Sequence, residues 1–206
     1  MAKGTVTPAE WKVYKDRITG VEVTQLTNYK AHSHHFYFTE NGWYDQGQRL
    51  LFISDRGNST NLFSLEMKTG EITQLTEYVG NNGMSVCLNP AGTIAYLNVQ
   101  RKIIALDLTT LQERELYSCP EGFTIGNVNC TADGKHVVTC VKEDLSHRFE
   151  IDLGNGYVGH RELMNAKPLS RIMRIAVDTK EAEMVFEENN FITHINTSPT
   201  RPELIT

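Results

Sequence analysis

The chain has 206 residues, with 20 Lys and Arg against 25 Asp and Glu, a formal net charge of −5 and 40% hydrophobic residues. That is enough apolar material for a sizeable core, and an acidic balance without a basic run gives no electrostatic grip on nucleic acid. No apolar segment approaches the ~20 residues needed to span a bilayer, and Met1–Pro8 has no apolar stretch behind its lysine, so the expectation is a cytoplasmic protein without a membrane partner.

Residues Trp11–Thr27 read as two strands, Trp11–Tyr14 and Val21–Leu26, joined by a turn. They match only the second half of the unit that follows. The complete unit runs from about Ser33 to Thr76: a strand at His34–Phe38, a strand at Leu50–Ser54, then a hairpin over Asn61–Thr76. In that hairpin Leu62–Met67 and the alternating Glu71–Thr76 flank a Lys68-Thr69-Gly70 turn, a short-range hairpin signal.

The unit then recurs. Thr24–Thr27 and Thr73–Thr76 are the same Thr-Gln-Leu-Thr; Ile103–Leu111 and Ile172–Thr179 are degenerate copies of the hairpin. The turn-plus-strand motif appears at Gly47–Ile53, Pro90–Leu97 and Ala132–Thr139, with glycines at 47, 92 and 134. A period in the low forties built only of strands is the pattern of a β-propeller, one four-stranded sheet per repeat. The expected fold is therefore all-β, a truncated β-propeller of about three and a half blades. A half-blade covers 11–27, blades cover about 33–76, 83–117 and 124–187, and a further blade starts over 192–206. The third blade carries an insertion over 144–169, placed by mapping Asp107 onto Asp178 or a residue either side. Long insertions in repeat folds go to loops, often on the binding face. The ending at Thr206 within a strand pattern reads as a fragment; an open stack of sheets or a dimer of halves is the alternative. Open sheet edges predict self-association.

Cys87, Cys119, Cys130 and Cys140 form no Cys-x-x-Cys pair and read as reduced thiols. His32, His34 and His35 cluster near the start of the first blade. They suggest a metal or anion site, but alternation sends His34 and His35 to opposite faces of a strand, which leaves them as substrate contacts at the channel mouth. His194 opens an inner strand, where propellers line their funnel, and Arg171 and Arg174 open an outer hairpin beside the insertion.

The chain resembles the N-terminal half of the oligogalacturonate lyases, the seven-bladed propeller enzymes of bacterial pectin breakdown (polysaccharide lyase family 22). The resemblance rests on Tyr14–Gly20 with Val23–Thr27, on His35–Phe38, on Arg171–Ile175 with Val177-Asp178, and on His194–Thr200. The first two motifs are generic to propeller repeats; the last two, with the insertion before them, are more telling. The resemblance implies β-elimination on short oligogalacturonates: a base removes the C5 proton beside the carboxylate, and the O4 bond breaks to leave an unsaturated uronate. It implies His194 as the base and Arg171 as the cation that assists, with Arg174 the second match. It further implies a divalent metal, manganese, held by histidines and a glutamine beyond residue 206; no metal ligand is assigned within the chain, and the chain alone is expected to be inactive. The competing reading is a non-catalytic propeller scaffold that binds a protein or a sugar.

Overall fold

The computed structural model describes residues 2–154 and 156–206; Asn155, inside the expected insertion, lies outside the described residues, as does Met1. The chain divides into two compact units, residues 1–84 with 107–112 and residues 85–106 with 113–206.

The first unit contains β1 (Val6–Thr7), β2 (Lys12–Lys15), β3 (Glu22–Gln25), β4 (Ser33–His34), β5 (Trp43–Tyr44), β6 (Arg49–Ser54), β7 (Asn61–Glu66) and β8 (Ile72–Gln74). Its main sheet is antiparallel in the order β1-β8-β7-β6-β4, with β5 also on β6, while β2 and β3 pair only with each other. Phe52, Phe63, Leu65 and Ile72 form its core, with Leu26 and Met67 against them. Buried Asn61 ties the start of β7 to the chain that follows β8. Its Oδ1 accepts from Thr76 Oγ1 (2.8 Å) and from the Tyr78 N–H (2.7 Å), and its Nδ2 donates to the carbonyls of Ser59 and Tyr78. Every polar atom this asparagine buries is thus paired.

The first strand of the blade is shorter than the alternation over His34–Phe38 suggests. Only Ser33 and His34 pair with β6, opposite Ser54 and Ile53. The chain then leaves the sheet: Phe36 is buried, the Tyr37 and Phe38 rings lie tilted against each other with centroids 4.4 Å apart, and pairing resumes at Trp43–Tyr44 against Leu50 and Arg49. Gly42 permits the return, since a Cβ there would lie 2.8 Å from the Leu51 carbonyl oxygen.

The second unit contains β9 (Ser85–Leu88), β10 (Ile94–Val99), β11 (Lys102–Asp107), β12 (Glu113–Ser118), β13 (Phe123–Cys130), β14 (His136–Glu143), helix α1 (His160–Ala166), β15 (Leu169–Ala176) and β16 (Ala182–Asn189). They form two four-stranded antiparallel sheets, β12-β11-β10-β9 and β13-β14-β15-β16. Cys87, Tyr96, Ile103, Leu116, Val128, Val137, Val141, Met173 and Ile175 make one buried cluster from the facing sides of the two sheets. Val138, Cys140 and Ile195, with Ile172, Ile192 and Ile205 against them, make a second cluster. All four cysteines are thiols. The fold class is the expected one: antiparallel sheets of propeller-blade type follow one another along the chain.

One turn recurs four times. The amide at position five bonds the carbonyl at position one in Gly20→Asp16, Gly70→Glu66, Leu111→Asp107 and Lys180→Ala176, at 2.8–3.0 Å. Asp107 therefore corresponds to Ala176, two residues before the Asp178 that the sequence pattern favours. The fifth residue is left-handed in every copy, with φ of 72°, 77°, 59° and 64°. Leucine and lysine tolerate that geometry here, so it does not by itself require glycine. Gly70 answers a second demand: a Cβ there would sit 2.6 Å from Ala9 Cβ and 2.7 Å from the Trp11 ring.

Candidate functional site

The expected base, His194, lies outside the named strands, although the sequence pattern over Ile192–Pro199 suggests one; in that stretch Asn196 and Ser198 make backbone bonds to Thr206 and Leu204. That segment is held on the β13-β14-β15-β16 sheet by side chains. The Cys140 thiol donates to the Ile192 carbonyl (3.3 Å), Asn129 Nδ2 to the Ile195 carbonyl (2.6 Å) and Thr197 Oγ1 to the Cys130 carbonyl (2.7 Å). An isolated bridge between Thr197 and Ile205 closes it into a loop. His194 is exposed, and its Nδ1 lies 2.8 Å from Thr193 Oγ1.

Arg171 and Arg174 both come from β15, but three positions apart on a strand means opposite faces. Arg171 shares its face with Met173 and Ile175 of the inter-sheet core; its guanidinium lies 4.7 Å from the Phe123 ring centroid, and its Nε bonds Glu187 at 2.6 Å. Arg174 shares its face with Ile172 and is held by Glu183 through Nη2 (2.6 Å) and Nε (3.2 Å). The Ile192–Ile195 segment packs on the Ile172 side, since the Ile192 N–H meets Ser170 Oγ and Ile195 joins the Val138–Cys140 cluster. Spacing along the sequence suggests Arg171 and His194 at one mouth. In the structure Arg171 and the His194 segment approach β15 from opposite faces, and a carboxylate already engages each arginine.

His34 and His35 are exposed in the first unit. Because the strand ends at His34, alternation no longer separates them, and both line one pocket of about 130 Å³ with Ser33, Leu50, Phe52 and Leu65. His32 carries more local structure than either. Its Nδ1 lies 3.0 Å from Asp55 Oδ2, its amide donates to Asp55 Oδ1 (2.8 Å), and its ring stacks on His34 at 6.0 Å. That contact lowers the Asp55 pKa, mainly through the His32 side chain. A polar cleft of about 580 Å³ opens beside the pair, lined in part by Lys30, Asn58, Ser59 and Asn82. The pairing of His32 with Asp55 was not legible in the sequence, because 23 residues separate them.

Among the described residues, no group of three or more His, Cys, Asp or Glu side chains is placed to hold a metal ion. The described residues thus do not form a manganese site.

A profile of the oligogalacturonate lyase family matches residues 1–205. The chain is 31% identical over 201 residues to the oligogalacturonide lyase of Pectobacterium atrosepticum, covering 94% of this chain and 50% of that protein. It is 30% identical to the oligogalacturonate lyase of Dickeya dadantii, with the same coverage. A solved oligogalacturonate lyase in complex with manganese superposes with a TM-score of 0.83 at 27% identity, covering 95% of this chain and 52% of that one. The chain thus spans about half the length of the curated relatives it matches. With nearly every described residue inside that match and the sheets superposing on a solved member, the chain belongs to the oligogalacturonate lyase family.

Proposed function

We propose that this chain contributes the proton-abstracting part of a cytoplasmic, manganese-assisted oligogalacturonate lyase, which cleaves short galacturonate oligomers by β-elimination. The observation that carries the reading is the family match across residues 1–205. The C5 proton of a galacturonate is a poor acid while its carboxylate is a free anion, because removing it puts a second negative charge on the same group. Cationic groups beside that carboxylate lower the barrier, and a neutral imidazole, with a pKa near working pH, takes the proton.

His194 is the base in this reading. For Nε2 to accept the proton, Nδ1 must carry the hydrogen, and Thr193 Oγ1, 2.8 Å away, can accept from it in that tautomer. Arg171 is proposed as the assisting cation on the family match, although it stands on the face of β15 away from the His194 segment; Arg174, on the face that segment covers, is the second candidate, and each would exchange a glutamate for the substrate carboxylate. His34 and His35 are proposed as outer contacts for the sugar chain. The chain also exposes a whole edge strand, β16, which carries Met184, Val185 and Phe186 at about half exposure (51%, 47% and 48%). We propose that copies associate there.

The test uses the whole-length enzyme and the ultraviolet absorbance of the unsaturated product. His194→Ala is expected to remove nearly all turnover while leaving metal content unchanged. Activity within a few-fold of wild type would place the base elsewhere.

A further inference from the structure

Lys142 is, with Arg174, a cation on the face of the β13-β14-β15-β16 sheet that the His194 segment covers. It stands two residues after Cys140 on β14, so the two side chains share a face, and its partner across the ladder is Ser170. Cys140 and Ser170 are the groups that hold Ile192 in place. The ammonium of Lys142 lies 4.8 Å from the centroid of the Phe191 ring, three residues before His194. Phe191 meets the His160 ring edge-on at 5.8 Å, and His160 meets Tyr157 in the same way at 5.9 Å.

Lys142 differs from Arg171 and Arg174 in one respect. Both arginines are tied to glutamates, whereas no carboxylate pairs with Lys142 among the described residues. It is half-buried, and burial pushes its pKa below the usual lysine range. A cation kept out of water without a counter-ion destabilises the fold. A chain that retains one beside an aromatic wall has left a place for an anion with an apolar face. A galacturonate unit has that chemistry: a carboxylate on a ring whose C–H face rests on aromatic side chains.

We propose that Lys142, with Phe191, His160 and Tyr157, forms a subsite for the carboxylate of a galacturonate unit next to His194. The inference rests on the lyase reading for the identity of the sugar. It requires no further reactant, since it is a binding site.

The experiment is calorimetric titration of the 206-residue chain with digalacturonate and with its methyl ester, which lacks the charge. Wild type is expected to favour the acid at least tenfold over the ester. Lys142→Met is expected to remove that preference while leaving ester binding unchanged, and Lys142→Arg to keep it within about threefold. Thermal unfolding separates binding from structure: Lys142→Met is expected to melt at the same temperature as wild type or higher. Equal affinity of wild type for acid and ester, no binding of the acid, unchanged binding by Lys142→Met, or a lowered melting temperature in that variant would each overturn the subsite. The lyase reading fails separately. If the whole-length enzyme makes no unsaturated product while Lys142→Met loses its preference for the acid, the subsite stands and the lyase assignment falls. If turnover depends on His194 but binding is indifferent to Lys142, the reverse holds.

Discussion

The ion pair between Glu10 and Arg56 offers a sharp test of how the first unit is held together. The Arg56 side chain is 2% exposed and that of Glu10 16%. The guanidinium grips the carboxylate with two hydrogen bonds, Nη1 to Oε1 (2.5 Å) and Nη2 to Oε2 (3.0 Å), and its Nε donates to Ser54 Oγ. Tyr29, Phe52 and Phe63 surround it at 5.0–5.5 Å. Glu10→Ala leaves this cation buried without a counter-ion, a change that costs about 3–5 kcal/mol. It also strands the Asn28 N–H, which donates to Glu10 Oε2. Arg56→Met replaces the guanidinium with an apolar chain of similar reach, and Glu10 can turn toward water, so about 1–2 kcal/mol is expected. The double variant should then be no worse than Glu10→Ala alone, a coupling of about 1–3 kcal/mol. Both tryptophans, Trp11 and Trp43, lie in the first unit, so their fluorescence in a urea titration reports this unit. With an m-value of about 1.5 kcal/mol/M, a loss of 3 kcal/mol lowers the midpoint by roughly 2 M. A shift under about 0.5 M for Glu10→Ala, or strict additivity in the double variant, would show that the pair does not hold the N-terminal segment to the sheet.

Gly70→Ala should destabilise the first unit by about 1–3 kcal/mol through overlap with Ala9 and Trp11. A loss under about 0.5 kcal/mol in a urea titration of Gly70→Ala would refute the crowding argument. Burial raises the Glu40 pKa from 4.5 to about 7. The folded state therefore holds this proton more tightly than the unfolded state. Its contribution is complete below about pH 4.5 and is lost as pH rises through about 7, on the order of 2–3 kcal/mol. Glu40→Gln should flatten that slope in melts between pH 4.5 and 7.5, and an unchanged slope would assign it to another group. Phe186→Lys on β16 should reduce self-association in sedimentation velocity, and wild type sedimenting as a monomer at all concentrations would remove the proposed interface. In the whole-length enzyme Arg171→Lys should lower turnover more than tenfold, because an ammonium cannot reproduce the planar guanidinium fork; a smaller loss would favour Arg174 as the assisting cation.

The repeating turns and the period-two strands were legible in the sequence because they are local. A four-residue separation closes each turn, and alternation sorts a strand's residues into two faces whatever lies around it. Asn61–Thr76 could therefore be read as a hairpin, and the glycines at 47, 92 and 134 as one motif, all left-handed with φ of 80°, 66° and 70°. Alternation does not say what covers each face, or where a strand stops. His34–Phe38 has a strand pattern, yet burial of Phe36 and the return through Gly42 end β4 at His34. Arg171 and His194 look like neighbours from their spacing, whereas packing of the Ile192–Ile195 segment on the Ile172 side puts Lys142 and Arg174, not Arg171, on the face this segment covers. In the sequence Lys142 looks like any lysine at the end of a strand. Its lack of a carboxylate partner among the described residues and its contact with Phe191, 49 residues away, come from the tertiary fold, because burial and charge pairing depend on distant chain brought close rather than on neighbours in sequence.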